Sequence, residues 1–129
     1  MKKLKDIIQE KLKINSKSKV NQYKYHPQNK KELDELISKL TKERGIDADL
    51  NDIDTSKITD MKYLFINHPR LHVDISGWDV SNVTDMGCMF LGSDIDCDLN
   101  NWDIRNVENM KDMFAHSALE KNLPKWYHE

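Results

Sequence analysis

Apolar and polar residues alternate one for one at four places along this chain: Ile46, Ala48, Leu50; Leu71, Val73, Ile75; Ile95, Cys97, Leu99; and Leu119, Lys121, Leu123. A period of two predicts strands that turn one face to a core. Further along each unit the spacing changes to three and four. Ile58, Met61, Leu64 and Phe65 recur as Val83, Met86, Met89 and Phe90, and again as Val107, Met110, Met113 and Phe114. That spacing predicts a short helix with its apolar stripe against the strands. Ser56 and Ser81 stand where a helix cap is wanted; Arg105 takes that place in the third unit, leaving Asn106 or Asp103 for the role. Methionines at this spacing are core filler, not a metal-binding box.

The units are copies of one another. DISGWDVSNVTDMGCMF at 74–90 recurs as DLNNWDIRNVENMKDMF at 98–114 and as DLNDIDTSKITDMKYLF at 49–65, with starts 25 and 24 residues apart. A truncated fourth copy, NLPKWYHE, begins at Asn122. A fixed period of this length predicts stacked repeats. The expected fold is α/β: a short right-handed, leucine-rich-repeat-like solenoid of parallel strands alternating with short helices. Lys121, charged where the other strands are apolar, suits a terminal strand that must not pair with another edge. Trp78, Trp102 and Trp126 recur at 24-residue intervals, with Ile53 in the equivalent place of the first copy, and predict a buried ladder that sets the register between coils.

The region before the repeats reads as a helical N-terminal cap, dividing the chain into 1–45 and 46–129. Leu4, Ile7, Ile8 and Leu12 give residues 2–14 one amphipathic face, followed by a polar linker at 15–19. Val20, Tyr23 and Tyr25 suit a strand ended by Pro27. A clear helix follows over 29–44, with Leu33, Leu36, Ile37 and Leu40 on its inner face. Asn29 is its N-cap, Glu32 completes a capping box, and Gly45 stands just past its end. Strand, helix and next strand make a parallel crossover that closes the open end of the repeats.

Composition adds constraints. A chain of 129 residues with 33% charged side chains is one domain with a thin core. No apolar run approaches the ~20 residues that span a bilayer, and the start of the chain lacks a continuous apolar signal region, which predicts a cytoplasmic protein. Cys88 and Cys97 make neither a disulfide framework nor a zinc signature and read as reduced thiols. The net charge of −2 conceals a split. Residues 1–44 hold 13 Lys and Arg against 6 Asp and Glu, a balance of +7, whereas residues 45–129 hold 7 against 16, a balance of −9.

Two acidic rows stand out from the core pattern. Asp54, Asp79 and Asp103 directly follow the Trp position, where a carboxylate can accept amides of the next turn. One carboxylate per coil does not make a calcium site. The second row follows from strand alternation: Asp47, Asp49, His72, Asp74, Asp96, Asp98 and Glu120, with Asn122, face away from the core. Strands ~4.8 Å apart would gather these carboxylates into one patch suited to a basic protein surface. No Gly-rich phosphate loop, HExxH or nucleophile elbow is present, so the chain reads as non-catalytic and without a cofactor or metal. Nucleic acid is opposed by the acidic half of the chain, and the narrow stripe of residues 2–14, without aromatic residues, speaks against a membrane surface.

The segments 74–90 and 98–114 closely resemble the BspA-like repeat of bacterial surface proteins and lipoproteins, a relative of leucine-rich repeats. The resemblance covers about 47–114, with an echo to Trp126, and the preceding cap looks like that of short intracellular members, some borne by phages and mobile elements. It implies a protein-binding scaffold and carries over no catalytic residues. The expected function is a non-catalytic protein–protein interaction module, acting as an acidic inhibitor of a basic nucleic-acid-binding or phage-defence protein. The alternative is a fragment of a surface adhesion protein that uses the Trp ladder.

Overall fold

The computed structural model describes residues 23–128; the expected helix over 2–14, the linker over 15–19 and Val20 lie outside them. The helix expected over 29–44 is present as α1, Lys30–Arg44. Asn29 caps it in extended conformation, its side chain accepting from the Glu32 amide at 2.9 Å. Glu32 reaches back one residue further than a capping box requires, accepting from the Gln28 amide at 2.9 Å. At the other end Gly45 has φ 96° and ψ 172°, a region essentially restricted to glycine, and its amide closes on Thr41 O. Leu33, Ile37 and Leu40 are fully buried against the repeats, and Leu36 is partly buried.

The expected solenoid of parallel strands alternating with helices is not what the repeats form. Among the described residues there is no sheet, only four isolated parallel bridges: Tyr25–Ile53, Asp49–Asp74, Asp60–Asp85 and Asp85–Asn109. The stretches 58–65, 83–90 and 107–114 hold a bridge residue followed by turns and no helix. The reason lies in where their amides go. A helix would direct each amide to the carbonyl four residues back. Here the amides of Met61, Tyr63 and Phe65 donate to Asp85, Gly87 and Met89 O of the next copy at 2.8, 3.0 and 3.3 Å. Those of Met86, Cys88 and Phe90 donate in the same way to Asn109, Lys111 and Met113 O at 2.7, 3.0 and 2.9 Å.

The three-residue apolar spacing is that of turn closure. In the central copy the Trp78 amide closes on Ile75 O, Val83 on Val80 O and Met89 on Met86 O. Each bond joins two apolar residues three apart and turns both side chains inward. Tyr63, Cys88 and Asp112 share one repeat position and all have positive φ, at 59°, 52° and 54°. A left-handed residue at the third place of a turn is incompatible with helix continuation.

The stack closes around a core that runs through all copies. Phe65, Phe90 and Phe114 lie face to face, with centroids 5.4 Å apart in both pairs. Trp78, Trp102 and Trp126 flank them at 6.1 Å each. Each indole also donates to the preceding copy: Trp78 Nε1 to Leu50 O at 3.0 Å, Trp102 Nε1 to Ile75 O at 3.2 Å and Trp126 Nε1 to Leu99 O at 2.7 Å. The Trp register role read from the sequence is thus a hydrogen bond as well as a packing contact.

The ends depart from the strand pattern. Ile46 is 52% exposed and Leu123 44%, although alternation placed both inward. The fourth expected strand is a single 3-10 turn, Ala118–Lys121, of which Leu119 is buried.

The turn geometry makes a signed prediction. Cys88→Gly and Cys88→Ala remove the same thiol and differ only in backbone preference. In a helix alanine is the better by about 1 kcal/mol. At a left-handed position glycine is the better by a similar amount. Chemical denaturation is expected to rank Gly above Ala. Truncation of Phe90 to Ala, between two stacked neighbours, is expected to cost about 3–5 kcal/mol by the same measurement.

Candidate functional site

Each copy carries three corners of one design: an Asp or Asn, then a residue that is apolar in all but one case (Thr55), two variable residues and a second apolar residue. The carboxylate or amide oxygen accepts from the backbone amide two residues on. Asp49, Asp74 and Asp98 accept from Asn51, Ser76 and Asn100 at 2.9, 3.0 and 2.8 Å. Asp54, Asp79 and Asp103 accept from Ser56, Ser81 and Arg105 at 3.0, 3.0 and 3.2 Å. Asp60, Asp85 and Asn109 accept from Lys62, Gly87 and Lys111 at 2.8, 2.9 and 3.0 Å. Such Asx turns satisfy an amide that the corner would otherwise leave unpaired.

This sorts the acidic residues read from the sequence. The role assigned to Asp54, Asp79 and Asp103 is the one they perform. Asp49, Asp74 and Asp98 also hold corners, each through one oxygen. The Asp49 oxygen takes the Asn51 side-chain amide as well, that of Asp74 the Ser76 hydroxyl, and that of Asp98 the Asn100 side-chain amide. The signal for this dual role was in the sequence, as Asp-apolar-x-x-apolar written three times in the central copy and with one departure each in the first (Thr55) and third (Asn109), and strand alternation obscured it.

The alternation read from the sequence is visible as exposure. Asp47, Asp49, His72, Asp96 and Asp98 are exposed and Asp74 is half-buried, alternating with buried Ala48, Leu50, Leu71, Val73, Ile75, Ile95 and Leu99. Asp49 and Asp74 are bridged, and the His72 and Asp74 amides donate to Ile46 and Ala48 O at 2.8 and 2.9 Å. That register sets Asp47 beside His72. The side chains of Asp47, His72 and Asp96 make no hydrogen bond or ion pair among the described residues. Asp96 and Asp98 line a separate hollow of about 160 Å3 with Leu119, Asn122 and Pro124. Glu120 does not join the row: it lies on the 3-10 turn and accepts from the His116 amide at 3.3 Å.

Hydrogen bonding tunes several of these groups. The Ser76 hydroxyl and then its amide hold the Asp74 carboxyl below the usual range against the opposing effect of burial. The Asn100 amide and side chain do the same for Asp98. Burial works to raise Asp54, but the Ser56 hydroxyl and amide and His26 outweigh it, leaving it lowered. Arg44 grips Asp52 through two bonds of 2.9 Å and lowers it, joining the end of α1 to the first copy beside a polar hollow of about 530 Å3. Burial pushes the Cys97 thiol up, away from the reactive thiolate. Trp78 and Trp102, at 3% and 5% exposure, offer no open face to a glycan. Among the described residues no group of three His, Cys, Asp or Glu side chains is placed to hold a metal ion, and no helix is long and apolar enough to cross a membrane.

The lowered carboxyls set a pH dependence. A folded pKa below the unfolded value, about 3.9 for Asp, contributes stability that is complete above that value. It is lost as pH falls through the lower folded value. Asp74→Asn retains the accepting oxygen but no longer titrates. Its expected cost is about 1 kcal/mol at neutral pH, the difference between charged and neutral hydrogen bonds. Below about pH 4 that gap to the parent protein should close, as urea melts at a series of pH values will show.

Neither the curated proteins nor the solved structures include a match to the chain. One family pattern matches residues 31–129, which takes in α1 from its second residue and all the repeats. On that match the chain belongs to the family described as "Mycoplasma protein of unknown function, DUF285".

Proposed function

We propose that this protein is a non-catalytic binding module whose acidic outer face engages a basic surface of a partner protein. The observation that carries this reading is the row of exposed Asp47, Asp49, Asp96 and Asp98, with Asp74 and His72 among them, on a scaffold whose cation-poor half has a balance of −9. Asp47 and Asp96 support it most directly. They hold no corner and stabilise no turn, so their charge is available to a partner, and like charges gathered on one face favour association with the opposite sign.

The BspA-like character of the repeats, a finer relation than the family match, accords with a scaffold for protein binding. The acidic row suits an inhibitor that occupies the nucleic-acid surface of a basic protein, such as a phage-defence nuclease, in the cytoplasm. An adhesion role through the Trp ladder is disfavoured because two of its three indoles are buried with their donors engaged.

The discriminating experiment separates charge from fold. Affinity purification from the native cell, repeated with the Asp47→Lys/Asp96→Lys pair, is expected to lose the partner or weaken its binding at least tenfold. Binding should also fall as salt is raised, because exposed charges are screened within about 8 Å at physiological ionic strength. Retention of the partner by the reversed pair, with an unchanged melting curve, would remove the acidic face from consideration.

A further inference from the structure

Asp47 and Asp96 find no counter-charge among the described residues. The cations of the cap that the structure describes are in part committed elsewhere. Arg44 grips Asp52 through two bonds of 2.9 Å, and Lys30 Nζ donates to the Asp60 carboxylate at 3.3 Å and to Lys62 O at 3.0 Å. The charge split shows where the remaining cations are. Of the balance of +7 carried by residues 1–44, residues 1–22 supply +5, with 7 Lys against 2 Asp and Glu. The twelve residues directly before Tyr23, KLKINSKSKVNQ, contain Lys11, Lys13, Lys17 and Lys19 and no acid.

That basic stretch joins the described structure beside the acidic row. The Lys24 amide donates to Asp52 O at 2.8 Å, and Tyr25 is bridged to Ile53. Lys24 lines a polar hollow of about 530 Å3 together with Arg44, Asp49, Asn51 and Asp52. Asp49 is itself a member of the row, bridged to Asp74 of the next copy. Segments that neighbour in this way lie ~4.8 Å apart, so the row from Asp47 through His72 to Asp96 runs roughly 10 Å. Twelve residues can span up to about 40 Å, so reach is no obstacle.

We propose that residues 11–22 are a built-in competitor for the acidic face: their four lysines cover Asp47, Asp49 and Asp96 until a basic partner displaces them. The inference rests on the acidic face as the partner surface and adds its regulation. A segment joined to the surface it covers acts at an effective concentration on the order of millimolar, so weak, salt-screened contacts suffice to hold it. A partner then meets only the fraction of molecules whose row is uncovered, and its apparent affinity falls by that fraction. Surfaces with scattered lysines do not overcome this competition, whereas a densely basic surface does, which sharpens the choice of partner.

The test uses the full chain and, as probe, a synthetic decalysine peptide. The Lys11→Gln/Lys13→Gln/Lys17→Gln/Lys19→Gln variant is expected to bind the probe at least about fivefold more tightly than the parent at low salt, with an unchanged melting curve. Without the probe, the backbone amide NMR signals of parent and variant should differ at Asp47, His72 and Asp96, while those of Asp60, Asp85 and Asn109 coincide. Zero-length carbodiimide coupling of the parent should join Lys17 or Lys19 to Asp47, Asp49 or Asp96 within one molecule. These links should be lost in 1 M salt, where charges are screened within about 3 Å. A link between Lys30 and Asp60, 3.3 Å apart, is the positive control. Equal probe binding by parent and variant, unmoved amides, or no link to the row beside a recovered control link would overturn the proposal and leave the acidic face standing. Links that form only between molecules would do the same. Probe binding that Asp47→Lys/Asp96→Lys leaves unaltered would remove the acidic face, and the proposal with it.

Discussion

A single contact recurs at every corner of the repeats: a side-chain oxygen of Asp or Asn holding the amide two residues ahead. Everything else about the stack depends on it. Each corner reverses the chain within a few residues, so no segment remains extended long enough to pair as a strand or regular enough to wind as a helix. The i-to-i+3 bond that follows draws two apolar side chains inward. The carbonyl it uses is then shared: Ile75 O accepts its own Trp78 amide and the Trp102 indole of the next copy. Local turn chemistry and copy-to-copy register are thereby one device.

The same economy explains the arrangement of charge. A scaffold built of Asx corners is acidic before any binding function is considered, and Asp54, Asp79 and Asp103 are accounted for structurally. Asp49, Asp74 and Asp98 each hold a corner through one oxygen, and Asp49 and Asp98 remain exposed while doing so. Only Asp47 and Asp96 carry negative charge on that row with no turn to hold, and they are the residues in which a binding role separates from a structural one. The basic cap at the other end is engaged in part by the scaffold itself, through Arg44 on Asp52 and Lys30 on Asp60.

Much of the architecture was legible in the residues. The copies and their period, the Trp ladder, α1 with its Asn29 cap and Gly45 stop, and the corner role of Asp79 all follow from local chemistry that a sequence displays. The helices and strands were misjudged for a specific reason. Apolar residues three apart satisfy a helix and a closed turn equally well, and alternation at Leu71, Val73 and Ile75 does not say whether a neighbour will pair along its whole length. The positive φ of Tyr63, Cys88 and Asp112 was illegible because none of the three is a glycine; packing between copies imposes it.

What the sequence determines by itself, then, is the repeat, its corners and the amphipathic cap, since each rests on side chains within a few residues of one another. Tertiary structure decides the rest. Whether the amide of Met86 turns to its own copy or to Asn109 O of the next depends on a neighbour 23 residues away, and that choice separates a helix from a stack of turns. It also decides which residues lie at an end. Val107 and Met110 have the same character as Val83 and Met86, and differ only in what lies against them.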